Sequence, residues 1–276
     1  LRRLLIKEKL ISVYEQIEKP LIEIIADMEN NGIKVKKDYL LKLSENFSEQ
    51  LAKLQEKIFL CSSSEFNINS TKQLGKIIFD KLKIPGAKKN KSGSFSTNSE
   101  VLETLAEQGY EIASLVLSWR EISKLKSTYT ESLTNNISNK TNRVHTTIQM
   151  TGAQTGRFSS TDPNLQNIPI KSKNGKEIRK AFVSEKGYKL VCFDYSQIEL
   201  RLLAEIAKIE ELRKAFNQDL DIHKLTASQI FNVEVSKVNN DQRRNAKAIN
   251  FGIIYGLSAF GLSKQLNISR TEAKNY

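Results

Sequence analysis

The stretch that decides the fold reads RRNAKAINFGIIYG and spans residues 243–256. Arg243, Lys247, Phe251 and Tyr255 recur at every fourth position, so in an α-helix each side chain follows the last by about 40°. The four then share one stripe, with two cations at its start and two aromatic rings at its end. Such a stripe is typical of an amphipathic helix, and it also matches the order of anionic and flat apolar groups in a nucleoside triphosphate. On this helix alone both interpretations stay open.

Composition restricts the class of partner. The chain of 276 residues has 43 Lys and Arg against 31 Asp and Glu, a formal charge of +12. An excess of one sign favours a polyanionic partner, nucleic acid ahead of membrane, although a generally lysine-rich protein would show it too. Only two cysteines occur, without a CxxC motif, so neither a zinc site nor a disulfide framework is indicated. Cys192 is predicted to be a small core residue.

No apolar run reaches membrane-spanning length, which predicts a soluble cytoplasmic protein with no membrane partner. The chain begins at Leu1 and stops at Tyr276 within a helical pattern. We therefore expect a fragment of a longer protein.

Residues 1–135 are predicted to be almost wholly helical. Pro20 suits the first turn of a helix that Asn31-Gly32 ends, and Asp38 is predicted to cap a longer one. Ser70 or Asn69 begins a third helix, over 71–82, and the last runs over 111–133. The long helix carries an apolar seam for an antiparallel partner, made of Leu40, Leu43, Phe47, Leu51, Leu54 and Ile58.

A polar, basic stretch at residues 88–94 interrupts these helices and is predicted to be a loop. It contains Lys88, Lys89 and Lys91. Such a run is usually a solvated turn, and it is also what sequence-independent contact with a phosphate backbone uses.

The pattern changes after Asn139. Alternation of apolar and polar residues over 143–150 predicts one strand, with His145 on its polar face in a structural role. Residues 151–169 follow, crowded with hydroxyl, amide and glycine groups around Arg157. A loop of this length inside a domain is usually functional or disordered, and its alternating Pro, Asn and apolar positions favour an ordered loop.

Residues 189–193, with the apolar run 190–193, predict a buried strand ending at Asp194. The helix after it is predicted to bury Ile198, Leu202, Leu203 and Ile206. Asp194 then lies at the carboxyl end of a strand, where α/β sheets bind ligands. Glu199 lies one turn into the helix and can face the same crevice. An Asp at this position is equally well explained as a helix N-cap.

The remainder is again helical. We predict helices over 221–231 and 241–256, the second capped by Asn239 or Asn240, then one from Ser258 to Leu266. The run Ser269-Arg270-Thr271-Glu272 is a capping box for one more. His223, near the start of the first helix, has no assigned role from its position alone.

Three blocks in one order carry a family resemblance. They are TGRFSS through Pro169 (155–169), DYSQIELR (194–201), and RRNAKAINFGIIYG (243–256) with DIH (221–223) ahead of it. Together they resemble family A DNA polymerases, the bacterial DNA polymerase I type. Three motifs at fitting separations are far more specific than one.

The resemblance implies an α+β, mostly helical fold with the right-hand architecture of polymerases, truncated at the C-terminus. Residues 1–19 would be the tail of an upstream exonuclease-like domain, 20–138 a helical thumb, 139–220 part of an antiparallel palm, and 221–276 part of the fingers.

It also implies an activity: template-directed transfer of deoxynucleotides to a primer 3′-hydroxyl in DNA replication and repair. The partners would be primer–template DNA and deoxynucleoside triphosphates (dNTPs), and the protein a bacterial, cytoplasmic, nucleoid-associated monomer. Phosphoryl transfer of this kind depends on positioning and charge neutralisation, and two Mg²⁺ ions would supply much of the latter.

Residue roles follow from the match. Asp194 and the Tyr195 carbonyl would hold metal, and Lys247 would also protonate the departing pyrophosphate. Nucleotide would be bound by Arg243, Lys247, Phe251, Tyr255, His223 and Glu199, the last with Tyr255 excluding a 2′-hydroxyl. DNA would be bound by Arg157, Asn167, Lys88, Lys89, Lys91 and Lys126, with Arg157 donating into the minor groove, where acceptors occur at every base pair.

The family's second catalytic carboxylate motif would lie beyond Tyr276, so we expect this fragment alone to be inactive. Two alternatives stay open. A single-subunit RNA polymerase shares the Arg, Lys and Tyr-Gly positions of the helix, but Glu199 and Phe251 argue against it. A non-catalytic, basic DNA-binding remnant is disfavoured by the intact Asp194, Lys247 and Tyr255.

Overall fold

The structure is a computed structural model, and it describes residues 1–89, 93–153, 155–170, 172–254, 256–266 and 268–275. The chain divides into two compact units, Leu1–Leu190 and Val191–Tyr276. The domain boundaries expected at residues 20, 139 and 221 stay predictions.

The first unit is built mainly from helices. They are α1 (Arg2–Lys7), α2 (Ile11–Val13), α3 (Lys19–Asn31), α4 (Lys37–Ser62), α5 (Thr71–Gly75), α6 (Ser99–Glu107), α7 (Glu111–Leu125), α8 (Ser132–Asn135) and α9 (Lys173–Arg179). The π-helical segments Tyr14–Glu18, Lys76–Lys81 and Lys126–Glu131 continue α2, α5 and α7. The predicted helices are confirmed, whereas α6 and α9 were not predicted.

Local signals set most of these helix ends. Gly32 ends α3 with a φ of 55°, and a side chain is excluded there because its Cβ would lie 2.5 Å from the Val144 carbonyl oxygen. Ser70 caps α5 by accepting the Gln73 N–H. The prediction for Asp38 is wrong. Lys36 occupies the N-cap of α4 and Asp38 lies in the first turn, where a carboxylate favours the positive end of the helix dipole.

The seam of α4 packs against α7 and the segments after it, and the order of the contacts shows that the two run antiparallel. Ile58, near the end of α4, shares a buried cluster with Ile112 at the start of α7. Leu40 and Phe47, near the start of α4, pack instead with Leu133 in α8. All of these side chains are 2% exposed or less, so the antiparallel helix pair forms the core of this unit.

Two short antiparallel ribbons replace the one predicted strand. They pair β1 (Ile33–Lys34) with β2 (Arg143–Val144), and β3 (Thr147–Gln149) with β4 (Ser159–Thr161). The predicted strand over 143–150 is therefore broken between Val144 and Thr147. The break follows from the side chains there: His145 binds the Glu29 carbonyl and the Thr141 hydroxyl at 2.8 and 2.7 Å, which confirms its structural role.

The loop between β3 and α9 is ordered, as predicted, although it contains β4, which was not predicted, and hydroxyl groups hold it. The Thr146 hydroxyl lies 2.6 Å from that of Ser160 and within 3.0 Å of the Thr161 and Pro163 carbonyls. Ser160 is 4% exposed and accepts the Leu165 N–H at 3.0 Å. The Tyr129 hydroxyl donates to the Asn167 carbonyl, which holds the far end of the loop to the helical core.

The second unit contains helices and no strand among its described residues. They are α10 (Ile198–Ile206), α11 (Glu210–Asn217), α12 (Ile222–Phe231), α13 (Asn240–Ile254), α14 (Ala259–Leu266) and α15 (Arg270–Asn275), with a 3₁₀ turn at Val235–Lys237. The predicted capping box is confirmed, since the Ser269 hydroxyl accepts the Glu272 N–H and the Glu272 carboxylate accepts the Ser269 N–H.

Two predictions before and within α10 are wrong. Residues 189–193 form no strand, Phe193 is 92% exposed and Cys192 is exposed. A strand requires backbone partners, and no described residue hydrogen-bonds this run. In α10 the buried residues are Leu200 and Ala204, while Ile198, Leu202 and Ile206 are exposed; of the predicted inner residues only Leu203 packs against the core. Leu200 packs with Ala215 of α11 and Ile222 of α12, which selects the opposite face.

The fold class is therefore α+β and mostly helical, with small antiparallel sheets, as predicted. Among the described residues, no helix combines the length and apolar character needed to cross a membrane.

Candidate functional site

Helices α12 and α13 bring the charged and aromatic candidates of the second unit together. Each helix has a well-defined start. Asp221 caps α12, and the Asn239 side chain accepts the Gln242 N–H at 2.9 Å at the start of α13. Buried Ala227 and Ala246 share one cluster, and such small side chains let the two helices approach closely.

Asp221 joins the two helices through both of its carboxylate oxygens. Oδ1 accepts the backbone N–H groups of His223 and Lys224 at 3.0 and 3.1 Å. Oδ2 accepts Nε of Arg243 at 2.7 Å. Partial burial raises the pKa of Asp221, but the Arg243 bond, the two N–H bonds and the positive charge of Arg243 outweigh it, so the pKa lies below its ordinary value. This bond holds the Nε side of the Arg243 guanidinium group.

His223 lies in the first turn of α12, two residues after Asp221, and its side chain is 3% exposed. Burial and the positive charges of Arg243 and Lys247 lower its pKa, and the Asp221 carboxylate only partly opposes them. The ring is therefore neutral at physiological pH. Its centroid lies 6.0 Å from that of Phe251.

Lys247 and Phe251 complete the stripe within the described part of α13. Lys247 is exposed, and its Nζ lies 6.0 Å from the Phe251 ring centroid. The predicted helix over 241–256 is confirmed to Ile254. Tyr255, the fourth member of the predicted stripe, lies outside the described residues. The structure thus groups two cations, one neutral imidazole and one aromatic ring.

Asp194 and Tyr195 precede α10 on an exposed segment. Both residues are exposed, and no described residue forms an ion pair or a side-chain hydrogen bond with Asp194. One carboxylate and one peptide carbonyl are hard oxygen donors of the kind that Mg²⁺ binds. The described residues contain no group of three or more His, Cys, Asp or Glu side chains arranged to hold a metal ion. The two donors therefore fit Mg²⁺ in kind, and they are too few to hold the ion by themselves.

Glu199 lies in the first turn of α10 and is half-buried. Gln197, at the N-cap, has a φ of 53°, a left-handed conformation that turns the chain sharply into the helix. Its Oε1 is buried with no hydrogen-bond partner among the described residues. The sharp turn at Gln197 lies between Asp194 and Glu199 in the chain.

The candidate DNA contacts lie in the first unit. Arg157 and the Asn167 side chain are exposed on the ordered loop, and Lys88 and Lys89 are exposed at the basic loop. Lys89 lies over the Phe95 ring, 5.6 Å from its centroid. Lys126 is half-buried and pairs with Glu131 at 2.6 Å, which partly neutralises its charge. Lys91 lies outside the described residues.

A cavity of about 550 Å³ separates the ordered loop from α7 and the π-helical segment after it. Its walls include Lys124, Thr128 and the loop residues Asn164, Asn167 and Pro169. Glu121, Leu125 and Tyr129 complete the lining, so the amides, the hydroxyl and the cation, which are donors that proteins use on nucleic acid backbones, lie beside a carboxylate and apolar groups.

Sequence reasoning missed two side chains that organise the α12–α13 group, Thr226 and Asn250. Asn250 contacts both His223 and Thr226. It lies three residues after Lys247, off the every-fourth-position stripe, so periodicity gives no signal for it. Asp221 was recognised only as part of a motif. Its position two residues before His223, at the start of a predicted helix, is the sequence signal that could have identified it as an N-cap.

Comparison with known proteins decides the family. The model of DNA polymerase family A matches residues 37–276, most of the chain. The chain belongs to DNA polymerase family A.

Curated relatives agree with this assignment. The chain is 49% identical over 267 residues to DNA polymerase I of Rhizobium leguminosarum, covering 97% of the chain and 26% of that relative. It is 47% identical over 264 residues to DNA polymerase I of Bacillus subtilis, covering 95% of the chain and 30% of the relative. The family A chain therefore spans less than a third of the length of these relatives.

A solved structure confirms the architecture. The POL domain of Pol1 from M. smegmatis, in complex with DNA primer-template and dNTP, matches with a TM-score of 0.90 and 38% identity. The match covers 99% of this chain and 48% of that one. The α+β polymerase architecture expected from the sequence is thus confirmed.

Proposed function

We propose that this family A chain is part of a DNA-directed DNA polymerase, a nucleotidyltransferase that acts in DNA replication and repair. Its reaction adds deoxynucleotides from dNTPs to a primer 3′-hydroxyl under the direction of a template. The α12–α13 group carries the proposal. It places Arg243 and Lys247, two cations, beside a neutral imidazole and the half-buried ring of Phe251.

Each member of the group has a role that suits a dNTP. Asp221 occupies only Nε of Arg243, so the terminal guanidinium nitrogens remain as a fork for phosphate oxygens. Lys247 adds a second positive charge and a proton for the departing pyrophosphate. Phe251 offers a face on which base and sugar pack, where stacking contributes about 1–3 kcal/mol.

Selection of the sugar is proposed to rest on Glu199 and Tyr255, whose side chains would exclude a 2′-hydroxyl. A site of this kind favours deoxynucleotides. Equal incorporation of ribonucleotides by the complete protein would contradict this role and favour the single-subunit RNA polymerase alternative.

Asp194 and the Tyr195 carbonyl are proposed to hold Mg²⁺, two ions in the complete site. When bound, the ions neutralise charge on the reacting phosphate and lower the pKa of the attacking hydroxyl. Asp194 suits this role because its carboxylate is exposed and has no protein partner among the described residues. Its contribution is to fix where the positive charge lies relative to the primer end.

Primer–template DNA is proposed to contact the first unit through Arg157, Asn167, Lys88, Lys89, Lys91 and Lys126. The ordered loop presents Arg157 and Asn167 from a scaffold of buried hydroxyl groups, so these contacts are held in place before DNA arrives. A monomer in the cytoplasm, associated with the nucleoid, is the proposed working form.

Primer extension by the complete polymerase that carries these residues tests the proposal. We expect Asp194→Asn to abolish extension while primer–template affinity stays within about twofold, because a single neutral side chain removes metal binding but no DNA contact. The matched control is Asp241→Asn, an exposed carboxylate that pairs with Arg244 at 3.1 Å. Extension by Asp194→Asn at the rate of Asp241→Asn would refute the metal role.

The 276-residue chain by itself is proposed to be inactive, since a catalytic metal pair needs more carboxylates than Asp194, and the described residues contain no group of three or more His, Cys, Asp or Glu side chains that could hold a metal ion. Detectable primer extension by the purified chain would overturn this proposal.

A further inference from the structure

A short chain of hydrogen bonds runs behind the proposed nucleotide site, from the Ile222 carbonyl through Thr226 and Asn250 to His223. We propose that Asn250 is a positioning residue that holds His223 as the neutral tautomer with its proton on Nε2. Resting on the proposed function, this makes His223 a fixed, uncharged hydrogen-bond donor to the triphosphate.

The first step concerns Thr226. Its Oγ1 lies 3.0 Å from the Ile222 carbonyl oxygen. A carbonyl can only accept, so the hydroxyl donates its single proton there. Towards any other partner the Thr226 oxygen can then act only as an acceptor.

The second step fixes the amide of Asn250. The terminal atom of Asn250 nearest to Thr226 lies 3.0 Å from Oγ1. Because Oγ1 has no proton left to give, this atom must be the donating Nδ2 rather than the amide oxygen. The orientation of the Asn250 amide therefore follows from hydrogen-bond chemistry.

The third step carries the constraint to the ring. The second proton of Nδ2 is directed at Nδ1 of His223, 3.2 Å away. An amide nitrogen cannot accept, so a proton on Nδ1 would face another proton. Nδ1 is therefore the acceptor, and in a neutral imidazole the proton resides on Nε2.

The charges around the ring support the same state. The groups that act on His223 are Arg243 and Lys247 of α13 and Asp221 at the start of α12. Asp221 directs one oxygen at backbone N–H groups and the other at Arg243. Among the described residues no further carboxylate acts on the ring, which is 3% exposed.

Nε2 has no hydrogen-bond partner among the described residues, and it is not one of their fully buried unpaired polar atoms. Its N–H is therefore available to a ligand. A neutral donor binds phosphate oxygen in the same protonation state over the physiological pH range, whereas a ring that titrated there would alter the charge of the site with pH.

Nitrogen NMR of the protein labelled with ¹⁵N in its histidines tests this tautomer directly. The chain has two histidines, and His223→Gln assigns the signals by their loss. At neutral pH we expect the His223 ring to show a protonated Nε2 and an unprotonated Nδ1, which resonate far apart. A protonated Nδ1, or a ring with both nitrogens protonated, would overturn the proposal without any variant.

Asn250→Asp provides the second measurement. A carboxylate cannot donate to Nδ1 but accepts from it, so we expect a proton to appear on Nδ1 and the pKa of His223 to rise. Asn245→Asp makes the same change on the same helix without contacting the ring, and we expect it to leave the Nε2 tautomer in place. An unchanged tautomer in Asn250→Asp would refute the role of Asn250.

Adding dNTP to the labelled protein distinguishes a failure of the Asn250 role from a failure of the nucleotide site. If the tautomer is as expected but ¹⁵N signals of His223 do not respond to added dNTP in the primer–template complex, the nucleotide role fails and the hydrogen-bond chain stands. If dNTP perturbs the ring but Nδ1 carries the proton, the role of Asn250 fails and the nucleotide site stands.

Discussion

At the scale of single residues, Asp221 has two separable roles, as a helix cap and as the partner of Arg243. Asp221→Asn tests them because Asn caps helices about as well as Asp but carries no charge. We expect a loss of about 1 kcal/mol or less in the free energy of unfolding, because the cap is kept and only the partly exposed ion pair with Arg243 is removed. We also expect a lower pKa of His223, since Asp221 is the charge that raises it.

NMR titration of the His223 ring measures this change. Asp241→Asn removes an exposed carboxylate whose ion pair with Arg244 lies on the same helix, and it should leave the His223 pKa unchanged. A rise in the pKa of His223 in Asp221→Asn would contradict the assigned electrostatics.

His223 also links stability to pH. Its pKa in the folded chain lies below the ordinary value of 6.5, so just below pH 6.5 the unfolded chain binds more protons than the folded one. Stability therefore falls as pH decreases from 6.5 towards the folded pKa. We expect His223→Gln to flatten this slope in urea unfolding measured across that window. Asp221 contributes to stability in a separate pH range. Because its pKa is lowered in the folded chain, this contribution is lost only as the pH falls below its ordinary pKa of 3.8.

Which residues could be predicted follows from how local their signals are. Arg243, Lys247 and Phe251 repeat with the helix and were found as one stripe. Asn250 and Thr226 act through hydrogen bonds between two helices, at a separation of 24 residues. Neither periodicity nor capping reports such a contact.

At the scale of elements, the loop between β3 and α9 depends on one hydroxyl. Thr146 contacts the Ser160 hydroxyl and the Thr161 and Pro163 carbonyls. Thr146→Val keeps the shape of the side chain and removes these bonds. Because Ser160 is 4% exposed, unpaired groups are left buried, and we expect a loss of about 1–3 kcal/mol in stability.

Hydrogen exchange of the loop amides gives the local readout, and the Leu165 N–H should exchange faster in Thr146→Val. If the loop presents Arg157 and Asn167 to DNA, primer–template affinity should fall with it. Thr147→Val is the control, since Thr147 is exposed in β3. Equal exchange in both variants would show that the hydroxyl does not order the loop.

Helix ends could be predicted because capping residues lie next to the helix in the sequence. The absence of a strand at 189–193 could not be predicted, because strand pairing depends on residues far away in the sequence. Gly32, Ser70 and the Ser269–Glu272 pair were each identified from a few neighbouring residues. The apolar run before Asp194 has the composition of a buried strand, yet Phe193 is 92% exposed. The inner face of α10 failed for the same reason, since only the positions of α11 and α12 decide that Leu200 is buried.

At the scale of the whole molecule, the formal charge of +12 is consistent with a DNA partner but does not locate its site. The two units contribute different chemistry: exposed cations and amides on an ordered loop in the first, and a cation–imidazole–aromatic group in the second. The proposed function links these in one reaction, and its central claim is that α12 and α13 bind the dNTP.

Equilibrium titration of dNTP into the complete polymerase, bound to a primer–template whose primer lacks a 3′-hydroxyl, tests that claim most directly. Arg243 and Arg244 are adjacent, but only Arg243 belongs to the group, whereas the Arg244 side chain is 76% exposed and pairs with Asp241. A charged hydrogen bond is worth about 1.5–3 kcal/mol, so we predict that Arg243→Ala weakens dNTP binding about tenfold or more. Arg244→Ala should change it by about twofold or less, as a surface substitution does. Equal affinities of the two variants would contradict the account.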